Sequence, residues 1–151
     1  MARTKNALKA LGLSVMDEEI FNKIEDDDVI EFYSDQGIQI YRNIRFFNFC
    51  SYSLLDLAVN SWEDLYQKPA SVTERLHQLF HEVLSPNSKF MSYNLGTFIQ
   101  RERFIYTKTR RTFLVTPKNL SPLINQSGVR SAILSTYKAK IVDEGQTFEI
   151  I

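Results

Sequence analysis

His77 and His81 are the only histidines of this chain, and they stand four residues apart. On a helix that spacing turns both imidazoles to one side, as a zinc ion requires. The run reads His77-Gln78-Leu79-Phe80-His81, without the glutamate that makes such a pair a zinc hydrolase. Both histidines fall at the border of an apolar stripe, so a solvated helix edge is expected and no metal. Cys50 is the only cysteine. One thiol makes neither an intrachain disulfide nor a cysteine-rich zinc site, so a small buried side chain and a reducing compartment are expected.

Arg101, Arg103, Lys108, Arg110 and Arg111 form a basic stretch opposed locally by Glu102 alone. The acidic stretch Asp17–Asp28 is expected to offset it, within the chain or across a dimer. The totals, 18 basic and 18 acidic residues, cancel. Nucleic acid and membrane are therefore not expected partners. No Gly-rich phosphate loop, nucleophile elbow or catalytic carboxylate pair is legible; Asp56, Glu63 and Asp64 read as exposed helix charges. No catalytic residue and no enzymatic activity are expected, and no cofactor is indicated.

A chain of 151 residues makes one domain. Its 11 Phe and 7 Tyr against a single Trp are enough either to fill a core or to line a cavity. No stretch approaches the ~20 apolar residues that span a bilayer. Met1-Ala2-Arg3-Thr4-Lys5 lacks the apolar core of a secretion signal. A cytoplasmic location is expected.

Residues 1–28 read as a helical lead. Ala7, Leu8 and Leu11 recur at helical spacing and Gly12 closes that helix. Ser14 is the expected N-cap of a second helix, with Asp17-Glu18-Glu19 in its first turn and Ile20, Phe21 and Ile24 as its apolar stripe. Val29–Tyr33 and Ile38–Tyr41 are β-prone runs around the turn Ser34-Asp35-Gln36-Gly37. Short helical fragments occupy 43–66. Val72, Leu76, Leu79, Phe80 and Val83 predict an amphipathic helix over 71–84, stopped by Ser85-Pro86-Asn87. Phe104–Tyr106 and Thr112–Val115 are expected to flank a hairpin at Lys108-Thr109-Arg110. Leu120–Gly128 is expected to be a loop, and Val129–Val142 a long final strand. Residues 88–103 fit either a strand or a bend.

This order, with Asn43-Ile44-Arg45-Phe46-Phe47-Asn48-Phe49-Cys50-Ser51-Tyr52-Ser53-Leu54-Leu55-Asp56-Leu57, resembles the PAS domain family. Asn43 stands at the family's asparagine after the second strand, and Tyr52-Ser53-Leu54-Leu55-Asp56-Leu57 matches its Gly-Tyr-Ser-led segment in spacing. Ser51 replaces the customary glycine and Leu55 the first acid. Lys68-Pro69-Ala70-Ser71 takes the place of His-Pro-x-Asp, with Ser71 as the expected helix cap. Lys108-Thr109-Arg110 replaces the usual Lys-Asp-Gly turn, and Gly128 is kept. The closing Asp-Ile-Thr is replaced by Lys138-Ala139-Lys140-Ile141.

The resemblance implies an α+β fold: a PAS-like five-stranded antiparallel sheet over 29–142 with short helices on one face. The lead at 1–28 then stands as a dimerisation helix, and 143–151 as a tail. It also implies a sensory domain of a signalling or transcription-regulating protein that binds a small ligand, forms a homodimer and acts on an output domain outside this chain. The expected pocket residues are Phe49, Trp62, Leu76, Phe80, Tyr106 and Tyr137, the large side chains on inward faces. Light-sensing flavin PAS domains carry their reactive cysteine in a segment this chain lacks. Some PAS sensors take a haem on a histidine of the long helix, the helix that bears His77 and His81. Two alternatives are a nuclear-transport-factor-like cone, which needs most of its sheet after the helices, and a cavity-free interaction module.

Overall fold

The computed structural model describes residues 1–87, 95–103 and 110–144. They run as α1 (Ala2–Ala10), β1 (Ser14–Val15), a 3-10 helix (Glu18–Lys23), β2 (Val29–Ser34), β3 (Gln39–Arg42) and a second 3-10 helix (Ile44–Asn48). Then come α2 (Leu54–Val59), α3 (Trp62–Leu65), β4 (Tyr66–Gln67), α4 (Ala70–Leu84), β5 (Phe98–Glu102), β6 (Thr112–Ile124) and β7 (Arg130–Asp143). The strands form an antiparallel sheet in the order β3-β2-β7-β6-β5-β4, with β1 against β6. The first hairpin joins the C-terminal strands directly, because β2 pairs with β7 from Val29 against Tyr137 to Ser34 against Ala132. A hairpin ahead of the helices that belongs to the sheet is the PAS-like arrangement.

Alternation along the strands sorts side chains to two covered faces. Ile30, Phe32, Ala132 and Leu134 meet Leu8, Leu13, Val15 and Ile20 of the lead, with Phe21 and Ile24 packed alongside. The opposite face carries Val29, Phe98, Phe113 and Val115 against Phe46, Leu57 and Leu65. Leu79 and Val83 of α4 close the same side over Leu120 and Ile133. The apolar stripe of the lead thus covers its own sheet.

Several local expectations change. Gly12 does close α1, at φ 68°. Ser14 caps nothing: it pairs with Ile124 in β1. Asp17 is the N-cap instead, accepting from the Glu19 N–H at 3.0 Å, and the helix it starts is a short 3-10 turn pair. Pro69, not Ser71, precedes the first turn of α4, and no side chain caps it. Its fixed φ suits the entry to a helix, and it leaves Ser71 within the first turn. The expected loop at Leu120–Gly128 is strand as far as Ile124, with the turn confined to Asn125–Gly128. Pro117 and Pro122 are tolerated because β5 pairs β6 only over Thr112–Val115 and β1 only at Leu123–Ile124, which leaves an edge between them. The strand before β6 is Phe98–Glu102; the one expected at Phe104–Tyr106 lies outside the described residues.

Asn43 ties the hairpin to the helices. Its Oδ1 accepts from the Ile30 N–H at 3.0 Å and its Nδ2 donates to the Asp28 carbonyl at 2.9 Å. Ser53 and Asp56 form a reciprocal capping box that starts α2. No helix of the described residues is long and apolar enough to cross a membrane.

Candidate functional site

The residue at the centre of the helix-covered face is a carboxylate. Glu31 shares that face with Val29 and Tyr33 and is 3% exposed. Tyr33 Oη donates to its Oε2 at 2.7 Å; Tyr137 Oη and Gln39 Nε2 donate to its Oε1 at 2.9 and 3.1 Å. Arg42 Nε donates to Gln39 Oε1, which fixes the orientation of that amide. Burial holds the Glu31 carboxyl above its usual range, although the two hydroxyls, Lys68 and Gln39 all pull it down. Burial likewise raises the Tyr33, Tyr66 and Tyr137 hydroxyls well above ten, so all three remain donors at neutral pH.

Glu31 borders a cavity of about 60 Å³ between the sheet and α3–α4. Tyr33, Tyr66, Phe98, Val115 and Tyr137 line it from the sheet, and Trp62, Leu76 and Phe80 from the helices. Lys68 also borders it, from the two-residue link between β4 and α4. Its Nζ lies 4.7 Å from the Trp62 ring centre and 5.5 Å from that of Tyr66. Burial pulls the Lys68 ammonium down to about 7, with Arg103 acting in the same sense and Glu31 and Glu63 against it. Glu31 and Lys68 share the cavity without forming an ion pair.

Trp62 is held by the first hairpin. Its N–H donates to the Gly37 carbonyl at 3.1 Å. Gly37 has φ 77°, and a β-carbon there would come within 3.1 Å of Trp62 Nε1. The turn therefore needs glycine both for its backbone and for the ring packed on it.

Of the expected pocket residues, Trp62, Leu76, Phe80 and Tyr137 line this cavity together. Phe49 does not: it borders a smaller space of about 10 Å³ beside it, edge-on to Phe113. Phe49 ends the second 3-10 helix, short of the cavity's helical wall. Tyr106 lies outside the described residues. Sequence reasoning misses Glu31, Tyr33, Tyr66 and Lys68. Glu31 has a signal, a lone charge within the apolar run Val29–Tyr33 and on the face of both its ends. Lys68 has none, because its position depends on where Pro69 starts α4.

His77 and His81 are exposed. His77 Nε2 lies 3.1 Å from Glu63 and its ring sits against Trp62, outside the cavity. Cys50 is half-buried among Tyr52 and Tyr66, and burial pushes its thiol up to about 11. Glu102 is fully buried and accepts from the Ser51 and Arg111 N–H groups at 2.8 and 3.1 Å, tying the Cys50–Ser51 bend to the sheet. Among the described residues, the acidic stretch is engaged by lysines outside the basic one. Glu25, Asp27 and Asp28 engage Lys118 and Lys138, while Arg111 pairs with Glu144. The three acids are also the one cluster among the described residues with metal-ligand spacing, and the two lysines already occupy it.

No protein-family model matches this chain, and no curated protein matches it in sequence. Among solved structures it is similar to a domain of a light and redox sensing histidine kinase from Haloarcula marismortui. The TM-score is 0.46 at 10% identity, covering 84% of this chain and 100% of that one. It is also similar to a sensory box sensor histidine kinase from Vibrio cholerae, with TM-score 0.46 at 10% identity over 94% of this chain and 97% of that one. At this distance no residue role passes from either neighbour to this chain.

Proposed function

We propose that this chain is a sensory module that takes a small molecule into the cavity between its sheet and α3–α4 and signals occupancy to a partner. The observation that carries the reading is Glu31, a buried carboxylate held by three donors on the cavity wall. Removing a carboxylate from water costs several kcal/mol even after relaxation. An aliphatic side chain on β2 would fill the same space without that cost. A charge kept on the wall of an aromatic cavity suits recognition better than packing. The ligand would act by favouring one of two packings of α3–α4 on the sheet, and only its difference in affinity between them changes the output.

Native mass spectrometry of the purified chain tests this, with Leu76→Trp as a cavity-filled control. The wild type is expected to carry or take up a small-molecule adduct, and the folded variant to lose it. Wild-type protein that carries nothing, and whose melting temperature no compound in a metabolite-sized library raises, rejects the reading. The same spectra report subunit number.

A further inference from the structure

We infer that the cavity is built for a small zwitterion, an aminocarboxylate whose ammonium meets Glu31 and whose carboxylate meets Lys68. The inference rests on the ligand-binding reading above and names the class of ligand.

Two opposite charges from different elements border one aromatic-walled space and do not touch. A fold that used Lys68 simply to pair with Glu31 would bring the two into contact, where a charge-assisted hydrogen bond would add to the attraction they exert on each other across the cavity. Each group also has unspent hydrogen-bonding capacity. Glu31 Oε1 accepts two bonds but Oε2 only the one from Tyr33, which leaves room at Oε2 for a ligand N–H. The Lys68 ammonium has three protons, and among the described residues its contacts are the faces of Trp62 and Tyr66, which supply no oxygen. A carboxylate between these groups supplies one.

Singly charged ligands fit worse. An anion bound to Lys68 would face Glu31 unscreened, and a cation bound to Glu31 would face Lys68. A molecule with both charges pairs each wall group and leaves neither opposed. Leu76, Phe80 and Val115 offer an apolar surface to the body of the ligand, and a volume of about 60 Å³ keeps that body to a few carbons. With its ammonium pulled down to about 7, Lys68 is about half protonated at neutral pH, and a bound carboxylate would favour the charged form.

The test is calorimetric titration of the full chain with glycine, L-alanine, L-valine, β-alanine and 4-aminobutyrate. Singly charged analogues of the same carbon skeletons run alongside: isovalerate and isobutylamine for valine, butyrate and propylamine for 4-aminobutyrate. At least one aminocarboxylate is expected to bind, with its analogues at least tenfold weaker. Lys68→Met and Glu31→Gln, checked for native circular dichroism, should each weaken binding by at least tenfold, while Ile44→Ser on the exposed surface leaves it unchanged. Should Glu31→Gln not fold, Lys68→Met and the analogue series carry the test. An acid or amine that binds as tightly as its parent aminocarboxylate overturns the inference. So does an absence of aminocarboxylate binding: a different adduct in the native mass spectrum then leaves the ligand-binding reading standing, whereas an empty, unresponsive cavity removes both.

Discussion

The Tyr137 hydroxyl donates to the Glu31 carboxylate at 2.9 Å, joining β7 to β2 across the cavity wall. The bond uses the offset of the β2–β7 register, in which Tyr137 lies opposite Val29, two residues from Glu31 on the same face. It is one of three donors that make a buried charge tolerable there. Tyr137→Phe removes that donor without changing the ring. A hydrogen bond to a charged group contributes about 1.5–3 kcal/mol. The variant should lose about that much in urea unfolding at pH 7. The loss should shrink at pH 4, where the raised Glu31 carboxyl is largely protonated and needs the donor less. An equal loss at both pH values would mean that Glu31 is already neutral at pH 7.

Lys68 makes stability depend on pH on the alkaline side. Its native ammonium is pulled down to about 7 from an ordinary value of 10.5, so above pH 7 the unfolded chain binds a proton that the folded chain does not. Stability therefore rises with pH from about 7. The charges facing it are Glu31 on β2 and Glu63 on α3, which favour the ammonium, and Arg103 after β5, which opposes it. Cys50 adds a counter-trend only above about pH 9, where an unfolded thiol ionises and the native one does not. The urea midpoint should climb between pH 7 and 8.5 and flatten in Lys68→Met. A wild-type midpoint that is flat over this range would place the ammonium in contact with water.

Cys50 should react slowly. Burial pushes its thiol up to about 11, against a free cysteine near 8.5, so its thiolate fraction at pH 7.5 is lower by about two orders of magnitude. Alkylation of the native chain should run roughly a hundredfold slower than that of free cysteine and reach the free rate in urea. Fast native alkylation would mark an exposed thiol and reopen a chemical role for it.

Repetition is what makes an element legible in these residues. The β-prone run Val29–Tyr33 and the three-and-four spacing of Val72–Val83 each mark a buried element, and both elements form. The turn at Ser34–Gly37 is legible because glycine supplies its positive φ. Ser14 and Leu120–Ile124 escape because non-local pairing makes them strand: Ser14 lies beside Ile124, more than a hundred residues away, and Leu120–Ile124 runs along Arg130–Ser135 of β7, so the residues themselves carry no local mark. The cavity divides in the same way. Trp62, Leu76, Phe80 and Tyr137 are large side chains on inward faces, visible from pattern. Lys68 gains its role from the Tyr66 ring two residues before it and from the Trp62 ring, which the packing of α3 brings to it.

Asn43 provides the sharpest stability test, because two of its substitutions separate its two bonds. Its amide accepts from the Ile30 N–H and donates to the Asp28 carbonyl, while its own N–H donates to the Ile30 carbonyl at 3.0 Å. Asn43→Ala deletes both side-chain bonds and leaves two backbone groups seeking partners at the edge of the core, a loss of about 2–3 kcal/mol. Asn43→Asp keeps the acceptor for Ile30 but sets a carboxylate against the Asp28 carbonyl where a donor is needed. At pH 7 it should therefore lose at least as much as alanine despite its closer shape, and recover part of the loss at pH 4 as the new carboxyl takes up a proton. Urea unfolding of the three proteins at both pH values gives the order. An aspartate variant as stable as wild type at pH 7 would show that the Asp28 carbonyl does not need its donor, and that Asn43 holds the hairpin through Ile30 alone.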